Sequence, residues 1–317
     1  MKLDKVKVLV SFDLHKEYLE QIRSVSPKVE LKKRVEKNKI LGEINDVEVL
    51  YAASFDKDIF KAANKLKWIH CHRAGVDPFI FPEMVKSDIL LTNSRGIHRT
   101  QVSEHTMSLI LAWSRRLHKF IRYQLEAKWY KFETDEVLGK TIGIIGLGDI
   151  GIEIAAKAKS FGMKILGLDI RKIQPPQVDE MIPPERLSVL LKRSDYVVLV
   201  VPLTPETKGL IGEKELKQMK KTAVLVNISR GGLIQEDKLV KALKEGWIAG
   251  AALDVFEIEP LPPESEFWKM ENLILTPHVA GTTPYYDQRA ILVFIENLKR
   301  YLEGKPLINL IDKEKGY

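Results

Sequence analysis

The sequence predicts an α/β protein of two domains, each built on a parallel sheet. Three observations carry this prediction. Short apolar strands alternate along the chain with helical stretches rich in Lys, Glu and Leu. The length of 317 residues exceeds what one small core organises. A strand–turn–helix with three spaced glycines opens the second half of the pattern, where the strand signals are strongest.

Taken in order, Lys7–Phe12, Val47–Ala52, Lys67–His72 and Ile89–Thr92 read as the strands of a first α/β unit ending near Gly96. The opening residues Met1–Lys5 lead into the first of these strands, and no cleavage-like site follows, so a first strand is expected here and not a signal peptide. Arg99 to Trp129 is a long periodic stretch with Met107, Ile110, Leu111, Trp113 and Leu117 at helical spacing. One or two helices are expected there, at a hinge or a subunit contact.

A second unit follows, with strands at Thr141–Ile145, Lys164–Leu168, Tyr196–Val201, Ala223–Asn227, Ile248–Leu253 and Leu273–Leu275. Helices are expected at Ile150–Phe161, Glu185–Lys192, Glu213–Met219 and Glu236–Glu245. Six buried strands on short connections imply a doubly wound sheet. After Pro284 a last helix, Gln288–Tyr301, has no strand partner left in this unit and is expected to cross back to the first, leaving a cleft between domains. The expected division is 1–97 with 286–317, and 98–285.

Composition narrows the function classes. No stretch approaches the roughly 18 apolar residues of a membrane span. The single cysteine, Cys71, excludes an internal disulfide and fits a reducing cytoplasm. The net charge of +7 raises a nucleic-acid partner, but its densest basic run, Leu31–Lys39, has no interleaved aromatic and reads as a solvated face. A positive field also draws in anionic cofactors and acids.

The segment Thr141–Gly151 holds an apolar strand, then Gly146-x-Gly148-x-x-Gly151, then a helix. Gly146 permits the tight turn, Gly148 lets a pyrophosphate approach the backbone, and Gly151 lets helix and strand pack closely. The helix N-terminus, at Asp149 and Ile150, offers amides to the phosphates. Asp169 follows the next strand, 18 residues after Gly151, where a carboxylate accepts from the adenosine ribose hydroxyls. Arg171 keeps a 2′-phosphate in view. A carboxylate about 4 Å from a phosphate charge costs about 4 kcal/mol at an effective dielectric of 20, which favours NAD over NADP.

Three residues follow the C-terminal ends of the last three strands, the edge at which open α/β sheets bind ligands. They are Arg230 in Asn227–Gly232, Glu259 in Asp254–Pro260, and His278 in Thr276–Gly281. Hydride exchange between a nicotinamide and a hydroxy acid needs a cation for the carboxylate, a proton donor for the developing alkoxide, and a carboxylate to orient that donor. Arginine, histidine and glutamate supply all three.

Over nearly its whole length the sequence resembles the D-isomer-specific 2-hydroxyacid dehydrogenases. The segments that carry the likeness are His72–Asp77, Val102–His105, the glycine loop, and the three strand-end segments. The resemblance implies an oxidoreductase with a Rossmann doubly wound NAD-binding domain and a smaller flavodoxin-like α/β substrate domain. It implies that Arg230 binds substrate, His278 is the acid/base and Glu259 is its partner. Arg73, Gly75 and Val76 would hold the substrate carboxylate, Asp254 the nicotinamide amide, and Val201 and Pro202 the adenine side. Ile228, Arg230, His278 and Gly281 complete the expected cofactor lining. A homodimer through 99–129 is implied as well.

Glyoxylate or hydroxypyruvate is the expected substrate. Glu259 stands where formate dehydrogenases, otherwise similar, carry glutamine, which argues against formate. Phosphoglycerate dehydrogenase without a regulatory domain is the alternative, with Arg73, Arg95 and Arg99 as its cationic cluster. Phe79 and Phe81 could instead line an apolar pocket for a larger acid. A non-enzymatic NAD-sensing protein is the other class. No metal is expected: His70 and His72 near Cys71 lack zinc-like spacing and read as satisfied strand histidines. His105 is expected to pack on its helix, and Arg115-Arg116 and His118-Lys119 to be solvated or at a dimer rim.

Overall fold

The computed structural model describes residues 5–316, and the Met1–Asp4 start, read as leading into the first strand, lies outside them. The chain divides into two compact units, one running to Ile97 and resuming at Thr283, the other His98–Thr282.

The first unit holds β1 (Val6–Val10), α1 (Lys16–Ser24), β2 (Val29–Lys33), α2 (Lys37–Glu43), β3 (Val49–Ala52), α3 (Lys57–Ala62), β4 (Trp68–Cys71), α4 (Pro82–Val85) and β5 (Leu90–Asn93). Its five strands are all parallel, in the order β2-β1-β3-β4-β5. That is the flavodoxin-like order. Alternation along β1 sends Leu9 to one apolar layer and Val8 and Val10 to the other, so both faces are covered. Strand β2 overlaps the first three residues of the basic run Leu31–Lys39, and Lys32 and Lys33 at this sheet edge reach Glu43 and Asp13.

The second unit holds α5 (Arg99–Ser114), α6 (Leu117–Leu125), β6 (Thr141–Ile145), α7 (Asp149–Ser160), β7 (Lys164–Leu168), β8 (Glu180–Ile182), α8 (Leu187–Arg193), β9 (Tyr196–Leu199), α9 (Glu213–Leu216), β10 (Val224–Asn227), α10 (Glu236–Glu245), β11 (Gly250–Leu253) and β12 (Leu273–Leu275). The sheet has seven parallel strands rather than six, in the order β12-β11-β10-β9-β6-β7-β8. The strand order reverses at β6, beside β9, and this is the topological switch of a doubly wound sheet. The additional strand, β8, is a three-residue edge too short to show a period.

The 99–129 stretch forms two helices, because Arg116 takes a left-handed backbone, φ 58°, and breaks the first. Helix α5 is buried at Val102, Met107, Ile110 and Trp113, whereas α6 buries no residue. Leu117, Ile121 and Leu125 on α6, and Trp129 just beyond it, are exposed.

The final helix, α11 (Tyr286–Leu302), packs in the first unit, where Phe294 stacks on Tyr51 at 4.2 Å between ring centroids. Beyond it Leu310 bridges Thr92 of β5 and Ile311 enters the core. Among the described residues no helix is long and apolar enough to cross a membrane.

Candidate active site

Gly146 adopts φ +100°, open to glycine at little cost, and a Cβ there would stand 2.5 Å from the Val200 carbonyl oxygen. A Cβ on Gly151 would stand 2.0 Å from the Gly146 oxygen, so helix α7 can begin this close to β6 only with glycine there. At Gly148, the residue before α7, a Cβ would meet nothing within 4 Å. The first amides of a twelve-residue helix therefore face a turn with open space beside it, next to the switch point. This fits the pyrophosphate of a dinucleotide. Val201, next to the glycine loop, lies 2.9 Å from the position of a Gly146 Cβ, and Pro202 follows it.

Asp169 lies at the end of β7 with its carboxylate mostly buried. Its Oδ2 accepts from the Leu147 amide at 2.8 Å, and its Oδ1 accepts from the Arg171 amide at 2.9 Å. The Arg171 side chain adds two bonds, Nε to Oδ1 at 2.9 Å and Nη2 to Oδ2 at 3.0 Å. Burial pushes the carboxyl up, but the Arg171 side chain and the two amides together hold it below the usual carboxylate range.

Strands β10, β11 and β12 are neighbours in the sheet, and their ends carry the three chemical residues. Asn227 shapes the first loop: its Nδ2 donates to the Arg230 carbonyl at 2.8 Å and its Oδ1 accepts from the Ser229 amide at 3.2 Å. Arg230 Nη1 donates to the Ser229 carbonyl at 2.8 Å. After β11, Glu259 Oε1 accepts from the Phe256 amide at 2.9 Å. Its other oxygen, Oε2, meets His278 Nδ1 at 2.6 Å. The nearby Glu257 instead donates its amide to Glu236, so it is Glu259 that reaches the histidine.

His278 itself has φ 52°, a left-handed backbone uncommon for a residue with a side chain. Asp254 holds it there. The Asp254 carbonyl accepts from the His278 amide at 2.7 Å. Its carboxylate accepts from Thr276 Oγ1 at 2.6 Å and from the Val279 and Ala280 amides, each at 2.9 Å. Asp254 is fully buried, so in this structure its side chain acts on the turn. Ile228 is buried, and Gly281 lies 3.0 Å, measured from an added Cβ, from the His98 ring.

Sequence reasoning missed two contributors. The Leu147 amide ties the glycine loop to Asp169, and a backbone donor has no sequence signal beyond its place in the loop. His105, read as packing on its own helix, instead places Nε2 3.0 Å from Thr276 Oγ1 and so joins the network beneath His278.

In the first unit, Arg73–Asp77 follows β4. Asn93 Nδ2 donates to the Ala74 carbonyl at 2.5 Å, and the Arg73 carbonyl accepts from the Ser94 amide at 3.2 Å. Phe79 is fully buried and stacks with Phe55 at 6.3 Å, while Phe81 packs edge-on to Phe60 at 5.5 Å. Phe79 is spent on the core, and Phe81 packs partly buried against the same cluster. His70 meets Thr92 Oγ1 at 2.7 Å and Ser94 Oγ at 3.2 Å. His72 meets Tyr51 at 2.8 Å and Asp287 at 3.1 Å. Among the described residues no group of three or more His, Cys, Asp or Glu is placed to hold a metal.

Residues 107–280 match the model of the D-isomer specific 2-hydroxyacid dehydrogenase NAD-binding domain. A glyoxylate reductase of Thermofilum pendens is 42% identical over 290 residues, which are 88% of this chain and 85% of that one. A D-3-phosphoglycerate dehydrogenase of Methanocaldococcus jannaschii is 36% identical over 315 residues, 97% of this chain but 59% of that protein. The crystal structure of an NADPH-dependent glyoxylate/hydroxypyruvate reductase from Sinorhizobium meliloti, in complex with NADP and sulfate, is 29% identical with a TM-score of 0.86, covering 99% of this chain and 100% of the other. The chain belongs to the D-isomer specific 2-hydroxyacid dehydrogenase family. It is an NAD(P)-dependent dehydrogenase, with a Rossmann dinucleotide-binding domain of seven parallel strands.

Proposed function

We propose that this chain reduces small 2-oxo acids, glyoxylate or hydroxypyruvate foremost, to the 2-hydroxy acid, D-configured where the product is chiral. The observation that carries this reading is the 2.6 Å contact of His278 Nδ1 with Glu259 Oε2 at the end of the sheet. With Nδ1 engaged, Nε2 is the ring nitrogen that hands a proton to the carbonyl oxygen in reduction and takes it back in oxidation. Glu259 orients the ring and supports its charged form. Arg230 receives the substrate carboxylate and polarises the adjacent carbonyl, as a planar guanidinium does well. Arg73 and the Gly75 and Val76 amides complete carboxylate binding. The bound nicotinamide supplies the hydride that the carbonyl carbon accepts.

Gly146, Gly148 and Gly151, with the Asp149 and Ile150 amides, take the pyrophosphate, and Val201 and Pro202 line the adenine side. Ile228, Arg230, His278 and Gly281 would line the nicotinamide side, with Asp254 holding the His278 turn. Asp169 accepts from the ribose hydroxyls, so NAD is the preferred cofactor. The unit that runs to Ile97 and resumes at Thr283 binds substrate, and His98–Thr282 binds cofactor. The uncovered apolar face of α6 supports a homodimer through the 99–129 region. A cytoplasmic location fits a cofactor-dependent enzyme with one buried thiol.

The glyoxylate reductase relatives support the small-acid reading, and the M. jannaschii relative keeps phosphohydroxypyruvate as the second. Steady-state kcat/KM across glyoxylate, hydroxypyruvate, pyruvate, longer 2-oxo acids and phosphohydroxypyruvate decides between them. Preference for glyoxylate or hydroxypyruvate is expected. A phosphorylated acid that wins by about tenfold or more, roughly 1.4 kcal/mol of transition-state stabilisation, overturns the small-acid reading. No turnover of any acid, with cofactor still bound, leaves the sensing alternative.

A further inference from the structure

We infer that Arg171 is a displaceable cap on Asp169: its guanidinium fills the two acceptor positions that a ribose diol needs, and once displaced it serves a 2′-phosphate. This rests on the reading of Asp169 as the ribose acceptor.

A carboxylate offers about four acceptor sites, two on each oxygen. Oδ1 takes the Arg171 amide and Arg171 Nε. Oδ2 takes the Leu147 amide and Arg171 Nη2. Each oxygen therefore carries one backbone bond, fixed by the fold, and one guanidinium bond on a rotatable side chain. Removing the guanidinium vacates one site on each oxygen, which matches the two vicinal hydroxyls of a ribose. The exposures differ in the same sense: the Asp169 side chain is 7% exposed and that of Arg171 is 56% exposed. The acid is the inner partner and the arginine the outer one. Nη2 also donates to the Leu147 carbonyl at 2.9 Å, so the cap closes onto the glycine loop itself.

Binding of either nucleotide must break this fork, but only a 2′-phosphate offsets the break, because the displaced guanidinium then makes charge-assisted bonds to it. The wild type is therefore a compromise that tolerates NADPH at the expense of NADH affinity. Equilibrium titrations of NADH and NADPH, followed by nucleotide fluorescence, test this on the full chain with Arg171→Ala and Asp169→Ala. Arg171→Ala should tighten NADH by about two- to fivefold, the scale of a partly exposed ion pair. It should weaken NADPH by about tenfold, the loss of a charge-assisted bond. NADH binding that is weaker or unchanged in Arg171→Ala overturns the cap, and unchanged NADPH binding overturns the phosphate role. Asp169→Ala separates the underlying reading: if it leaves NADH affinity unaltered, Asp169 is not the ribose acceptor and it is the cofactor reading that has failed. Thermal unfolding of both variants confirms that the fold is retained.

Discussion

His278 is held in an unfavourable backbone conformation by four bonds to Asp254 and by its own bond to Glu259. Strain of this kind amounts to roughly 1–3 kcal/mol and persists where surrounding contacts over-determine it. The result is a half-exposed ring on a rigid turn, with one nitrogen committed and the other free to exchange a proton. Replacing His278 with Ala should lower turnover by about 10²–10⁴-fold while NADH still binds. Glu259→Gln can still accept from Nδ1–H but cannot support the imidazolium, so a smaller loss is expected, again with NADH affinity retained. Turnover near the wild-type rate in His278→Ala sinks the assignment. The contact of His278 with Glu259 joins two of the three residues picked out at the sheet's C-terminal edge. The Asp254, Thr276 and His105 support was not legible in the sequence, since His105 and Thr276 lie far apart in the chain and meet only in the fold.

Helix α6 stands apart from the other elements. It is amphipathic, yet Ile121 is 57% and Leu125 83% exposed, and Trp129 beyond it is 93% exposed. Phe120 and Phe132 stack at 4.4 Å and extend the apolar face. A patch of this kind marks an interaction surface. Ile121→Lys together with Leu125→Lys should convert a dimer to a monomer in sedimentation velocity, with Arg115 and Arg116 left at the rim. A wild type already monomeric at micromolar concentration removes this interface. The strands missed in the sequence have a common cause. Both β2 and β8 are sheet edges, one carrying paired lysines and the other three residues long. Edge strands are short or carry charge that discourages further pairing, which weakens the apolar pattern that marks a central strand.

At the scale of the whole molecule, two buried histidines tie stability to pH. Burial pushes His70 down to about 3. Burial also pushes His72 down to about 4, against the pull of Asp287. Both rings are neutral when folded, and the unfolded chain protonates them near the ordinary value of about 6.5. Their contribution is therefore fully present above that value. As pH falls from there toward 3, the unfolded chain binds protons that the folded chain refuses, so stability declines. Each unit of depression corresponds to about 1.4 kcal/mol. The urea midpoint should fall between pH 7 and pH 4.5, and fall less in the double variant His70→Gln/His72→Gln. Equal declines in both proteins would show that other groups govern acid sensitivity.

What the sequence determined by itself was the local chemistry. A glycine turn needs particular residues at particular offsets because backbone geometry leaves no other choice, and strands buried on both faces must be apolar throughout. Asp169 and Arg171 could be picked out as neighbours, and so could the last helix, which had no strand left to cover in the second unit. Only the tertiary structure decided which groups bond to which. It gave Arg171 to Asp169, Thr276 to Asp254, and Glu259 rather than Glu257 to His278. It also spent Phe79 on a core instead of a pocket and left α6 uncovered. Those outcomes depend on distances between segments far apart in the chain or on side-chain rotamers, and hydrophobic periodicity is blind to both.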